Sequence, residues 1–127
     1  MDQIADLLTR IKNSSAIGKY EITLPYSKMK EAILNILKAE GFIQSYEMVA
    51  DKDNGKSTLT VIISRTKTPS HLKQISKPGR RVYAKNAEIP MPLRGLGTVV
   101  ISTSKGVITG KEARKGGFGG ELICEIW

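Results

Sequence analysis

Apolar and polar positions change their period several times along the chain, and each change marks an element. Ile4, Leu7, Leu8 and Ile11 recur at i, i+3, i+4 and i+7, one face of a helix, with Asp2 where an N-cap belongs. Tyr20, Ile22 and Leu24 then alternate as a short strand that Pro25 ends. Ser27 caps a second helix running to Glu40, with Met29, Ile33, Ile36 and Leu37 on its apolar face and Gly41 at its C-terminal cap. Phe42 to Val49 reads as a strand. The segment Asp51-Lys52-Asp53-Asn54-Gly55-Lys56 holds an Asn-Gly turn signal, and Leu59, Val61 and Ile63 continue as the hairpin partner. The first lobe, residues 1–65, is therefore expected to be α-β-α-β-β, a small sheet backed by helices.

Residues 66–70, with Pro69, read as a linker. The second lobe, 71–127, reads as short strands and turns with one short helix, so the fold class is α+β in two small lobes. Leu72 to Ser76 is a strand, Lys77-Pro78-Gly79-Arg80 a turn, and Arg81 to Lys85 an alternating strand that sets Arg81, Tyr83 and Lys85 on one face. Ile89-Pro90-Met91-Pro92-Leu93 is too proline-rich for a central strand and reads as an extended connector. Thr98 to Ser102 is a strand leading into a loop of hydroxyls, Ser102-Thr103-Ser104-Lys105-Gly106. Thr109-Gly110-Lys111-Glu112 matches a capping box and starts a helix to about Lys115, which Gly116-Gly117 ends. In the final strand, Glu121 to Trp127, the period sets Leu122, Cys124 and Ile126 on one face.

Charge changes this picture by separating the halves. The net charge is +8, from 20 basic and 12 acidic residues. Residues 1–50 carry 6 of each, whereas residues 71–127 carry 10 basic and 4 acidic. A basic C-terminal half favours a polyanionic partner, nucleic acid before an anionic membrane. The single cysteine excludes an intrachain disulfide and fits a reducing compartment. The acidic, helix-like start is not a secretory signal, and no apolar run approaches the ~20 residues of a membrane span.

Catalytic chemistry finds little support. Ser-Lys-Gly at 104–106 lacks the leading glycine of a phosphate loop, and neither Gly95-Leu96-Gly97 nor Gly117-Phe118-Gly119 is completed as Gly-x-Gly-x-x-Gly, because Val100 and Leu122 stand third. His71 has no cysteine, histidine or carboxylate cluster beside it that suggests a metal, and no cofactor is expected. Cys124 reads as a small core residue. An enzyme-class rival would use Ser102 or Ser104 as nucleophile with Lys105 as base.

Binding chemistry finds more. Ser102, Thr103 and Ser104 can donate to and accept from nucleotide edges, phosphates or the 2′-hydroxyl that distinguishes RNA from DNA. Gly106, Gly119 and Gly120 remove side chains that would obstruct close approach, and Glu121 can accept from a base amine or hold a neighbouring cation. Tyr83 between Arg81 and Lys85 suits stacking on a base while the cations hold phosphates; packing between the lobes is its other role. Lys73, Arg80, Arg94, Lys111, Arg114 and Lys115 add sequence-independent attraction. Arg10, Lys12 and Asn13 end the first helix, where cations suit its dipole or contact phosphate.

Gly95 through Arg114, including Ser102-Thr103-Ser104-Lys105-Gly106-Val107, together with Gly119-Gly120-Glu121-Leu122-Ile123-Cys124, closely resembles the C-terminal motif of the bacterial-type small-subunit ribosomal protein eight family. Ile4 to Asn13 is similar to that family's opening helix, Lys38 to Ile43 to its second helix end, and Ser76 to Tyr83 to its first C-lobe hairpin. Gln3, for a usual proline, and Gly110, for an aspartate, depart from the pattern. The resemblance implies a protein without enzymatic activity that binds the central domain of 16S ribosomal RNA early in assembly and helps organise the platform, in the cytoplasm or an organelle. It implies a stem with an irregular core as ligand. Ser102, Thr103, Ser104, Lys105 and Gly106 would enter its minor-groove side, with Gly119, Gly120 and Glu121 beside them and Tyr83 near a base. Small-subunit proteins five and twelve would be neighbours. A translational repressor binding a stem in its own messenger RNA is the alternative within the same surface.

Overall fold

A computed structural model describes residues 2–53 and 55–127, and the chain divides near Thr68 and Pro69 into two compact units. Each has its own antiparallel sheet and helical cover.

The first unit runs α1 (Gln3–Ala16), β1 (Glu21–Pro25), α2 (Lys28–Ala39), β2 (Ile43–Ala50) and β3 (Ser57–Ile63). Its strands lie in the order β1-β3-β2, with Ile22 opposite Val61 and Leu24 opposite Leu59. All four of these side chains are buried, as are Leu7, Leu8 and Ile11 of α1. The Ser27 hydroxyl accepts from the Lys30 amide at 3.1 Å, capping α2. At its other end Phe42 N–H bonds to Leu37 C=O and Gly41 N–H to Lys38 C=O, and Gly41 takes the positive φ, +87°, that this double closure requires.

The apolar face of α2 is wider than its period indicates. Leu34 is fully buried and Lys30 nearly so, while Met29 is half-buried. Lysine is tolerated there because its hydrocarbon stem packs and its Nζ donates to the Pro25 carbonyl at 2.9 Å. At the β2–β3 tip Asp51 N–H donates to Lys56 C=O, and the Asp51 carboxylate accepts from the Asp53 amide. Asn54 of the Asn-Gly signal lies outside the described residues.

The second unit runs β4 (Leu72–Gln74), β5 (Tyr83–Ala84), β6 (Thr98–Thr103), β7 (Gly106–Thr109), α3 (Gly110–Gly116) and β8 (Gly120–Ile126), with single 3-10 turns at Asn86–Glu88 and Pro92–Gly95. The order is β4-β8-β6-β7, with β5 also on β8. Ile89, Val99, Ile101, Ala113 and Leu122 form the core cluster on the side covered by α3.

Four expectations change here. The 81–85 strand shrinks to two residues, because the Val82 amide is taken by the Ser76 hydroxyl at 2.9 Å and Lys85 C=O by the turn to Glu88. The 89–93 connector follows one 3-10 turn and its Pro92 and Leu93 already belong to the next, and Leu93 and Arg94 both have positive φ, +52° and +55°. The hydroxyl segment is not a loop between strand and helix. It is the turn of a β-hairpin, because Val107 and Ile108 pair back onto Ser102 and Ile101. Finally, Leu122 does not share a face with Cys124. The register shifts so that Ile101 opposes Leu122 while Val100 opposes Cys124, and the extra residue, Ile123, is buried as well.

Candidate nucleic-acid interface

The β6–β7 hairpin turns at Ser104-Lys105. Neither residue has positive φ; Gly106, at +111°, supplies it. No heavy atom lies within 4 Å of a β-carbon placed on Gly106, so this glycine is needed for backbone conformation and not for space. The Thr103 hydroxyl locks the turn, donating to Gly106 C=O at 2.9 Å and accepting from Lys105 N–H at 3.1 Å. That hydroxyl is therefore committed to the hairpin. Ser104 and Lys105 stand exposed at the tip, and Ser102 is half-buried beside them.

Behind the tip, strand register assembles a row. Tyr83 opposes Glu121, Glu121 opposes Ser102, and Ser102 opposes Val107. Directly opposed residues share a face, so four adjacent strands present Tyr83, Glu121, Ser102 and Val107 on one side. Their neighbours Ala84, Leu122, Ile101 and Ile108 face the core cluster. Tyr83 is 69% exposed. Arg81 Nη1 donates to Glu121 Oε2 at 3.3 Å, which leaves the carboxylate bonded on one oxygen and open to another donor.

The glycines at 119 and 120 serve the protein's own backbone. A β-carbon on Gly120 would overlap the Ser102 carbonyl oxygen, and one on Gly119 would lie 2.7 Å from the Ala84 carbonyl. They let β8 approach β6 and β5 closely enough to complete the row. Lys85 is exposed beside Tyr83 and Gly119, on the rim of a shallow groove. Lys85 and Lys105 make no ion pair among the described residues, so the surface beside the row keeps a positive potential; Lys111 and Lys115 belong to α3, on the opposite side of the sheet. Arg114, by contrast, donates to the Ile89 carbonyl and has a structural role.

Not all the expected residues meet here. Arg80 belongs to the Lys77–Arg80 turn. Arg10, Lys12 and Asn13 belong to α1 in the first unit, where Lys12 and Asn13 are exposed. The Arg10 guanidinium is engaged by Asp6 Oδ1 at 3.2 Å and the Thr23 carbonyl at 3.0 Å. It borders a groove with Lys19, Tyr20 and Arg65 that periodicity had not marked. The Arg65 guanidinium sits 4.9 Å over the Tyr20 ring; the concavity that joins them is tertiary and has no local signal.

The remaining reactive side chains are accounted for. His71 Nε2 lies 3.0 Å from Glu125 Oε1, and its ring stacks on Trp127 at 3.8 Å. Burial, with a smaller contribution from Glu125, pushes the Cys124 thiol up to about 12, which keeps it protonated and inert at neutral pH.

An α+β chain whose basic second unit presents an aromatic, a carboxylate, hydroxyls and unpaired lysines on one open sheet face is a binding protein in class. Its sequence matches the family model described as ribosomal protein S8 over residues 2–127. Small ribosomal subunit protein uS8 of Caldanaerobacter subterraneus subsp. tengcongensis is 51% identical over 99% of this chain and 97% of its own length. The uS8 proteins of Thermus thermophilus and Moorella thermoacetica are 51% and 49% identical, each over 99% of this chain and 98% of theirs. The chain belongs to the ribosomal protein S8 family: it is a small-subunit ribosomal protein and not an enzyme. The serine–lysine hydrolase reading is thereby set aside. No helix among the described residues is long and apolar enough to cross a membrane.

Proposed function

We propose that the second unit binds the central domain of 16S ribosomal RNA directly and, through that contact, helps organise the platform of the small subunit during assembly. The observation that carries this reading is the cross-strand row of Tyr83, Glu121 and Ser102 ending at the Ser104-Lys105 tip. An exposed tyrosine suits stacking on an unpaired base, worth about 1–3 kcal/mol. Glu121 accepts from an exocyclic amine, while Ser102 and Ser104 exchange hydrogen bonds with 2′-hydroxyls or base edges. These are short-range, directional contacts, and they favour an irregular stem over a uniform duplex. Lys105, Lys85 and Arg81 hold phosphates and position the stem without reading it. Lys12 and Asn13 of α1 are assigned a separate phosphate contact, and the neighbouring subunit proteins include proteins five and twelve.

The test is a titration of the whole chain against a central-domain stem with its irregular core and against a regular duplex of equal length, each at several salt concentrations. Preference for the irregular stem that survives added salt is the expected result. Equal binding to both, vanishing together as salt rises, overturns the reading and leaves only electrostatic attraction.

A further inference from the structure

Three hydroxyls follow one another at the end of the β6–β7 hairpin, and they are not equivalent. Ser102 opposes Glu121 and so lies on the face of the sheet that carries the row. Side chains alternate along a strand, which sends Thr103 to the other face. Ser104 is exposed at the tip. Neither serine hydroxyl is hydrogen-bonded to the protein among the described residues, whereas the Thr103 hydroxyl is bonded twice, to Gly106 C=O and to Lys105 N–H. One oxygen thus ties both the second residue of the turn and the first residue of β7 back to the end of β6.

The backbone shows why this tie matters. Two-residue hairpin turns ordinarily carry positive φ on the turn residues themselves, which matches the twist of the flanking strands. Ser104 and Lys105 both lack it, and the positive φ falls one residue later, on Gly106. Thr103 and Gly106 are the last opposed pair before the turn. Closure therefore rests on that glycine and on the Thr103 side chain, not on the two residues at the tip. The β-branch of Thr103 restricts χ1 and keeps its hydroxyl within reach of both partners. An untied tip would sample several angles, and ordering it on contact would subtract from affinity.

We propose that Thr103 is a positioning residue: it does not meet RNA itself but fixes the angle at which Ser104 meets it, and so sets the preference for an irregular stem over a regular duplex. The inference rests on the RNA-binding reading above and deepens it. Of the three hydroxyls, two exchange hydrogen bonds with RNA and one is spent on holding the tip ready. Charge attraction is indifferent to the angle of the tip, because Lys105 is a point charge on a flexible stem. A hydroxyl bond, by contrast, requires both distance and direction.

A mutant cycle in the whole chain tests it, titrated against the irregular central-domain stem and a regular duplex of equal length. Ser104→Ala should lower stem affinity about 2- to 10-fold, the loss of one neutral hydrogen bond. Thr103→Val keeps the branched shape and removes the hydroxyl. It should lower stem affinity by a similar factor while duplex affinity, salt slope and urea midpoint stay unchanged. In the Ser104→Ala background it should cost almost nothing further, as a residue acting through another requires. Thr103→Ser, which keeps the hydroxyl, should restore most of the affinity. In the free protein, amide exchange at Lys105 should be faster in Thr103→Val than in Thr103→Ser. Losses that multiply in the double variant would mean that Thr103 touches RNA itself, and equal losses with Val and Ser would assign the effect to side-chain shape; either overturns the positioning role. So does equal amide exchange at Lys105 in the two variants. If Ser104→Ala leaves stem binding intact, the reading of the interface fails; if it weakens the stem and Thr103→Val does not, only the positioning role fails.

Discussion

In the first unit β1 buries Ile22 and Leu24 between exposed Glu21, Thr23 and Pro25, an uninterrupted alternation. In the second unit β8 buries Leu122, Ile123 and Cys124 in succession. The first sheet has one strand order and one register shift, and α2 is capped at the positions its residues indicate. The second is built from a two-residue strand, a bulge, two 3-10 turns, two non-glycine residues of positive φ and glycines pressed against neighbouring backbone. A sheet that buries one apolar face against helices can keep its alternation along most of its length, whereas a surface that aligns a tyrosine, a carboxylate and a serine across separate strands needs local departures from it.

The comparison can be broken at its strongest point by core truncation. Leu34→Ala in α2 should cost about 3 kcal/mol in urea unfolding, with the stem affinity of the folded protein unchanged. A loss of affinity at full folding would tie the first unit to the reading surface. Next in size, Gly120→Ala should destabilise by about 2 kcal/mol, because the added methyl meets backbone that cannot move aside, and it should weaken stem binding as the row is displaced. An unaltered melting curve would show that the close approach of β8 to β6 is dispensable.

Alkaline unfolding gives the third. Burial holds the proton on the Cys124 thiol of the folded state well above the ordinary value of 9.0, to about 12. The unfolded chain therefore loses a proton that the native one retains. This contribution is fully present below pH 9 and falls by about 1.4 kcal/mol per pH unit above it. Cys124→Ala should flatten that part of the pH dependence; parallel curves for the two proteins would mean the thiol is not the group responsible. The smallest effect separates reading from attraction within the second unit. Ser104→Ala should cost about 0.5–1.5 kcal/mol on the irregular stem and almost nothing on a regular duplex. Lys85→Ala should weaken both equally and reduce the salt slope by about one. Identical profiles for the two variants would remove the distinction.

The same contrast explains what could be read in advance. Ser27, Gly41 and Thr109 act through the chain next to them, so the ends of α2 and the start of α3 were legible, although Glu112 meets the Thr109 hydroxyl with its carboxylate as well as its amide. Lys30 and Leu34 were not: whether a helix face is wide enough to bury them depends on what it packs against. The hydroxyl segment reads as a loop in the sequence and is a hairpin turn in the structure, since Val107-Ile108 is too short to declare a strand without its partner. The bulge at Ile123 and the commitment of the Thr103 hydroxyl are products of register, which a single strand does not carry. Glycines 119 and 120 were marked for close approach, but what approaches is the protein's own backbone.

One feature of the second sheet bears on how it comes into being. Strand β8 pairs with β4, β5 and β6, so it is the hub of the sheet, and it is the last of the strands in sequence. Leu72 finds its partner only at Ile126. The β6–β7 hairpin can form from neighbouring residues, but β4 and β5 have no strand to join until β8 is delivered. Such distant pairings are slow to close. During synthesis the reading row therefore exists only after Gly120 to Ile126 has emerged, and a chain stalled short of it would offer RNA the hairpin and its charge without the sheet that aligns Tyr83 and Glu121. On the proposed reading, recognition is in this sense withheld until the second unit is whole.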